Sequence, residues 1–441
     1  MTQTSGRTAG AARTAALAWL IASLFYLYQY AMRSAPSVMV PELTQAFGIS
    51  ALKLTSLLGL FYYGYAIFSL VAGIALDQLG ARKVVPLGAA CVALGAFLFA
   101  SGDATPASVG RFIQGAGGAF SMIGAAYIAG VYFPASRAAG LLGATQMFGM
   151  AGGAAGQFLV GPAIAGGLPW DRFWILMALA GAAIAGLLFF FIPQKDETPT
   201  TAFTPERKEW AKTAAAAIGA VFRNPQSILC GLIAGLLFLP TTIFDMLWGV
   251  RFLQESHDVD YSIAVLRSAS VPFGWIIGSP LLGLLSDRIG RRKPVILGSA
   301  IVLLISFILI LYGPPDLFPA YSLGLIAGIA SGGAMLPYTV IKEANRPEHS
   351  GTATGVINFI NFALSALLGP LFGILLTHVS GGGERELVHY QSAFAPLAYG
   401  IALAILLTLA LRETGPAVRG AKSAPKSAPE SPTKSRPAAS H

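Results

Sequence analysis

Charged residues make up only 11% of this 441-residue chain, whereas a soluble domain carries about 25%. Apolar residues make up 55%, and the mean hydropathy is +0.66. A soluble fold cannot hide that much apolar surface, because most of its own surface must still face water. There are two cysteines, Cys91 and Cys230, both within apolar runs. That is too few for a disulfide framework or a zinc site, so both read as small apolar residues. The sequence has no Asn-x-Ser/Thr sequon, no phosphate loop of the G-x4-G-K-[ST] type, no His-Glu-x-x-His and no Cys-x-x-Cys. His257, His349, His378, His389 and His441 fall near loops or in the tail, so no metal-ligand set converges. Neither a metal, a cofactor nor a catalytic constellation is expected.

Long apolar runs fill the space that charge leaves. Each is long enough to cross a ~30 Å hydrocarbon core as a helix. Charged and Gly/Pro-rich breaks give twelve spans, near 15–40, 54–76, 84–101, 106–132, 138–165 and 171–193, then 226–252, 262–285, 294–312, 318–341, 350–378 and 391–411. The first run follows Arg7 and Arg13, but it is too long for a signal-peptide core and no cleavage site follows it. The pattern is that of an all-α integral membrane protein. It divides into an N-terminal segment 1–14, a six-helix bundle 15–193, a polar linker with a surface helix 194–225, a second bundle 226–411 and a disordered tail 412–441.

Charge distribution sets the orientation. With both termini cytoplasmic, the inner side holds 22 of the 29 Lys and Arg residues and the outer side five: Lys53, Arg172, Arg251, Arg267 and Arg385. Arg33 and Arg111 lie within spans. Such asymmetry is what the positive-inside rule demands. The net charge of +9 is then a topology signal and a contact for anionic lipid headgroups, with no nucleic-acid partner implied. Short loops and the missing sequon lean toward a bacterial inner membrane.

An internal repeat is the most informative feature. After the second span the chain reads Gly73-Ile-Ala-Leu-Asp77-Gln-Leu-Gly80-Ala-Arg82-Lys83, and after the eighth Gly283-Leu-Leu-Ser-Asp287-Arg-Ile-Gly290-Arg-Arg292-Lys293. The spacing is identical and the copies are 210 residues apart, so two six-helix halves follow. This loop resembles the signature between helices two and three of the major facilitator superfamily, with its second copy between helices eight and nine. Arg111-Phe-Ile-Gln114-Gly115-Ala-Gly117-Gly118 resembles a further motif of that family in the fourth span. The resemblance covers about residues 15–411. It implies two pseudo-symmetric bundles, twelve helices and a solute site near the bilayer midplane. It also implies a gating role for Gly73, Asp77, Arg82, Gly283, Asp287 and Arg292, which latch the cytoplasmic side. The glycines lack side chains, so a neighbouring helix is expected to pack closely at both. The aspartates sit at helix ends that disfavour a carboxylate alone. They are expected to contact a helix N-terminus of the other half, or Arg82 and Arg292.

Charge at membrane depth is costly, about 2.5–3.5 kcal/mol on insertion scales, so each such residue is a functional candidate. Arg33 shares a helical face with Tyr26, Gln29, Tyr30 and Ser37, and its guanidinium forks onto carboxylate or phosphate. Tyr-Gln-Tyr-Ala-Met-Arg33 resembles the first helix of organic-anion and organophosphate carriers of the superfamily. Those phosphate carriers add a second cation facing the arginine; here the second span offers Tyr62, Tyr63 and Tyr65, which argues against a phosphate ester. Shifting Arg33 by the repeat lands on Ile243, so Asp245 is expected at nearly the same depth in the other half. An Arg and an Asp facing each other can pair when the site is empty, and solute or a proton then breaks the pair.

The fourth-span resemblance links Arg111 to proton coupling; a purely structural bond to carbonyls is the competing reading. Asn358, Asn361 and Ser365 form a polar stripe in the eleventh span, and Gln146 and Gln157 lie in the fifth. These groups either bind solute or hold helices together. Trp248 and Trp275 either line the cavity or anchor at the interface. Gly161-Pro162 resembles an antiporter motif, but the preceding glycine spacing is off by one. The expectation is a monomeric secondary carrier of a small organic anion, coupled to protons or to an exchanged solute. An exporter of drugs or siderophore-like amphiphiles, or a transport-dead sensor on the same fold, are the competing readings.

Overall fold

A computed structural model of the chain describes residues 2–133, 135–193, 207–314, 321–346, 349–415 and 417. Side chains of 1–12, 77–78, 134–140, 142, 207–211 and 214 fall outside the description. Among the described residues, twelve helices are long and apolar enough to cross a membrane. The first six are Arg13–Val38, Ala51–Leu76, Ala81–Phe99, Ala104–Tyr132, Gly143–Ala165 and Trp170–Phe191. The second six are Pro225–His257, Tyr261–Ile289, Lys293–Tyr312, Ser322–Ala344, Ser350–Val379 and Leu387–Ala410. They form two six-helix bundles.

Local chemistry sets the ends. Ser50 and Asp103 cap the second and fourth spans by accepting from the backbone N–H of Lys53 and Thr105. Asn224 caps the seventh, with Pro225 in the first helical position. The repeated loop stops both its helices at a glycine of positive φ, Gly80 at 75° and Gly290 at 69°, a conformation that a side chain disfavours. Large apolar side chains such as Leu87, Phe97, Phe190 and Leu406 point outward, where lipid replaces water as their neighbour.

The first bundle has its own apolar core around Phe25, Val85, Phe99, Phe120 and Trp174. The second core runs from Phe244, Phe307 and Phe394 across the bundle boundary to Tyr26, Tyr30, Phe61, Tyr62 and Tyr65. The aromatic residues of the first two spans therefore sit at the centre of the molecule. Two irregular stretches lie at this depth. Residues Pro240–Gly249 of the seventh span form a π-helix, and Gly332–Met335 of the tenth a 3-10 turn. Such interruptions change which way side chains point and are frequent at functional sites in general.

The polar linker contains a helix, Arg207–Arg223, whose end packs by Val221 and by Phe222 against Phe359. Residues 194–206 lie outside the described residues. Residues 412–415, which the sequence placed in a disordered tail, instead pack against the second bundle and its loop motif; 416 and 418–441 lie outside the described residues. Arg412 N–H donates to Gln226, and Gly415 lies against Gly290.

Candidate solute-binding site

Arg33 lies near the end of the first span and is buried. Its guanidinium carbon sits 3.8 Å from the Tyr30 ring centre, 5.8 Å from that of Tyr62 and 5.7 Å from that of Phe362 in the other half. One terminal nitrogen donates to the Met246 sulfur at 3.5 Å, while Nε and the other terminal nitrogen have no acceptor. Cation–π contacts with several rings hold the charge but satisfy none of its N–H donors. Tyr26 packs edge-on to Tyr30 at 4.8 Å, and Tyr65 lies 4.2 Å from Phe362. Tyr63 points elsewhere: one residue along a helix is a turn of about 100°. It stays half-buried on the flank of the core and makes none of these ring contacts.

The expected Arg33–Asp245 pair does not form. Asp245 accepts from Ser268 Oγ at 2.9 Å within its own bundle, and its other oxygen has no partner. Neighbouring residues of a helix point in different directions, and here Met246, Leu247 and Trp248 border the Arg33 cavity while Asp245 borders a separate one within the π-helical stretch. Trp248 lines the Arg33 cavity, with its ring 5.5 Å from the Arg385 guanidinium. Trp275 does not; it donates to Thr241 in the interior of the second bundle. Arg111 donates to the Met32 carbonyl at 3.2 Å and to Gln114 at 2.7 Å. It thereby braces the backbone of the first span one residue before Arg33.

On the other side of this cage Tyr338 links the asparagines. Its hydroxyl donates to Asn358 at 2.6 Å and accepts from Asn361 at 3.2 Å. Gln146 accepts from Tyr26 at 3.1 Å and borders a cavity of about 520 Å³ between the halves, next to the loop motifs. The Arg33 cavity, by contrast, holds only about 20 Å³. A chain of contacts therefore runs from the large cavity through Gln146, Tyr26 and Tyr30 to Arg33. Tyr338, Phe362 and Met246 belong to the site, and no sequence pattern pointed to them; apolar and aromatic residues in a span look alike until packing selects one face.

The two loop motifs differ in their surroundings. At Gly73 a Cβ would lie 2.7 Å from the Gly351 carbonyl oxygen of the eleventh span, so the bundles meet backbone to backbone there. Among the described residues nothing lies within 4 Å of Gly283, which borders the large cavity, so the close packing expected there finds no described partner. The side chains of 134–140 and 142, at the start of the fifth span, lie outside the description. The Asp77 side chain lies outside the described residues, and Arg82 sits 5.8 Å from the Phe189 ring. Asp287 pairs with Arg292 in its own loop, and Arg292 also reaches Glu343 at the end of the tenth span. Burial alone would lower the Arg292 guanidinium; Asp287 and Glu343 outweigh it and raise it.

Glu413 completes this cluster. It accepts from the backbone N–H of Arg292 at 2.7 Å and Lys293 at 3.1 Å, capping the ninth span, and from Thr414 and Gly415. Burial alone would raise its carboxyl, but the four donors outweigh that and hold it below the usual carboxylate range. A carboxyl held low in the folded chain stabilises docking above its ordinary value of about 4.3. That contribution is lost as the pH falls through the lower, folded value. Acidification below about pH 4 is therefore expected to release segment 411–415, and Glu413→Gln to remove this pH dependence. Hydrogen exchange of the segment across a pH series reads the effect; an unchanged pH dependence in the variant contradicts the capping role.

Twelve spans in two halves, with a polar and aromatic site between them, define a membrane transport protein. The family model described as Major Facilitator Superfamily matches residues 22–367, and the chain belongs to that superfamily. Among its relatives is the "Sugar transporter ERD6-like 8" of Arabidopsis thaliana, 26% identical over 71% of this chain and 73% of that protein. Another is an uncharacterised MFS-type transporter of Mycobacterium tuberculosis, 28% identical over 77% and 74%. Among solved structures, the proton:xylose symporter XylE matches with a TM-score of 0.68 at 14% identity, covering 91% of this chain and 97% of that one. The Escherichia coli fucose:proton symporter FucP matches with 0.64 at 17%, covering 89% and 98%. At these identities the structural matches establish the fold alone.

Proposed function

We propose that the chain is a secondary active carrier of a small, carboxylate-like organic anion, working by alternating access and driven by protons or by exchange. The observation that carries this reading is Arg33. It is a guanidinium buried among aromatic rings, with two nitrogens lacking acceptors and no carboxylate paired to it. Buried donors without partners are rare in folded proteins, and at membrane depth an unpaired charge calls for a ligand. A carboxylate would take up the free Arg33 nitrogens beside Tyr62 and Trp248, with Tyr30 and Tyr65 packed behind and Gln146, Asn358 and Asn361 further along the path. We place the loop-motif face and both termini in the cytoplasm of a bacterial cell, on the strength of the Lys/Arg asymmetry.

A second reading, a neutral polyhydroxylated solute, is favoured by amide groups without partners on the same path, Gln146 Nε2 and Asn361 Oδ1, and by the sugar-transporter relative. Flux into proteoliposomes under an imposed pH gradient, and against preloaded counter-solute, separates the two. The panel comprises mono- and dicarboxylates, organophosphates, pentoses and hexoses. Saturable carboxylate flux supports the first reading. Sugar flux without carboxylate flux replaces it with the second.

A further inference from the structure

Asp245 is a carboxylate that the Arg33 site leaves unused. Among the acidic residues of the twelve spans, Asp171, Glu255, Asp287 and Glu343 lie within two residues of a span end, and Asp245 alone lies at depth. Its cavity, of about 120 Å³, is bordered by the seventh to tenth spans of the second bundle. It runs from Ser331, midway along the tenth span, to His257 and Gly313 at the face opposite the loop motifs. Ser268 holds one carboxylate oxygen; the other, and the Ser331 hydroxyl, have no partner.

Charged and titratable neighbours are few. The eighth span contributes Arg267 and the end of the seventh His257, and neither pairs with Asp245. The ninth and tenth spans present Leu303, Phe307, Ala327 and Ser331, none titratable. From the eleventh, Ser365 meets Thr242, and from the twelfth, Phe394 meets Phe244. Arg33 touches the adjacent Met246 instead. Two consecutive residues of the π turn thus face two compartments, Asp245 the cavity inside the second bundle and Met246 the Arg33 site.

We propose that Asp245 is the proton-binding site of the carrier, housed inside the second bundle apart from the solute site, and that the π turn couples the two. The proposal rests on the carrier reading above and not on the charge of the solute. A proton from water at the face opposite the loop motifs adds to the free Asp245 oxygen and is given up to water after the halves exchange access, so no other reactant is needed. Neutralising the carboxylate lets the turn repack, and Met246, one peptide away, moves against Arg33.

The test uses the purified full-length protein with protons as the only ligand. Infrared difference spectra between acid and alkaline samples are expected to contain the carbonyl stretch of a buried carboxylic acid. This band is lost in Asp245→Asn and kept in Arg33→Ala and Asp245→Glu. In a background with Cys91→Ala and Cys230→Ala, Ser37→Cys on the Arg33 cavity reports the coupling. Its alkylation by an impermeant maleimide is expected to change several-fold with pH, and Asp245→Asn to flatten that response. Ser268→Ala, which removes the hydroxyl bonded to the carboxylate, moves the midpoint. A merely structural role for Asp245 would move neither band nor midpoint. Spectra unchanged by Asp245→Asn, a retained pH response at Ser37→Cys, or, if Asp245→Asn does not fold, an unmoved midpoint in Ser268→Ala, each overturn the proposal. Lost anion flux in the presence of an intact band leaves it standing, and intact anion flux in Arg33→Ala sinks the solute reading alone.

Discussion

Arg33→Ala is expected to abolish anion transport in a protein that still folds and inserts. Truncating one partner of a buried, hydrogen-bonded charge pair costs about 2–5 kcal/mol, so solute affinity falls by roughly 30- to several thousand-fold. Arg33→Lys keeps the charge but loses both the fork and the flat contact with Tyr30, and is expected to recover only a small part of the flux. Stability without solute moves the other way. With no carboxylate paired to it and two nitrogens unbonded, Arg33 is a net cost to the empty protein, and replacing such a buried charge by an apolar residue is often stabilising. Arg33→Met is therefore expected to raise Tm in the absence of solute while transport is lost. A large drop in Tm would identify Arg33 as a structural residue and remove the basis for the anion reading. Lost affinity together with gained stability is the signature of a binding residue.

Gly73→Ala and Gly283→Ala are expected to behave differently although they occupy matching places in the repeat. A methyl on Gly73 comes 2.7 Å from the Gly351 oxygen and 3.1 Å from its carbonyl carbon, so the second and eleventh spans must separate. Overpacking costs about 1–3 kcal/mol and falls only on the state in which these spans meet. The population of the state open at the loop-motif face then rises by about 5- to 150-fold. Alkylation of Thr352→Cys, buried beside this contact, reports the shift as a faster rate, and turnover falls because one half of the cycle is disfavoured. The methyl on Gly283 meets none of the described residues within 4 Å, and both rates are expected to stay near those of the unmodified protein. Equal effects at the two glycines would mean that the difference between the flanks does not govern the cycle.

Much of this architecture was legible in the sequence because lipid imposes a strict rule. A backbone that crosses the membrane must satisfy its own hydrogen bonds, so each long apolar run can only be a helix. The 210-residue repeat marked the two halves, and scarcity of charge singled out Arg33, Arg111 and Asp245. Helical spacing placed Tyr30 beside Arg33, and the cation–π geometry bears that proximity out. The same reasoning failed for Tyr63 and for the Arg33–Asp245 pair. Spacing assumes a regular helix and a known facing partner, and the π turn at 240–249 breaks the first assumption.

The sequence by itself determined the number of spans, their grouping in halves and which residues carry charge at depth, since these follow from local hydrophobicity and repetition. Only the tertiary structure decided that Met246 and Phe362 complete the Arg33 cage, that Asp245 faces a cavity of its own and that Gly73 is packed while no described residue lies within 4 Å of Gly283. Those outcomes depend on how two bundles dock and on one widened turn, and docking is a balance of many weak contacts between distant residues that no local pattern encodes.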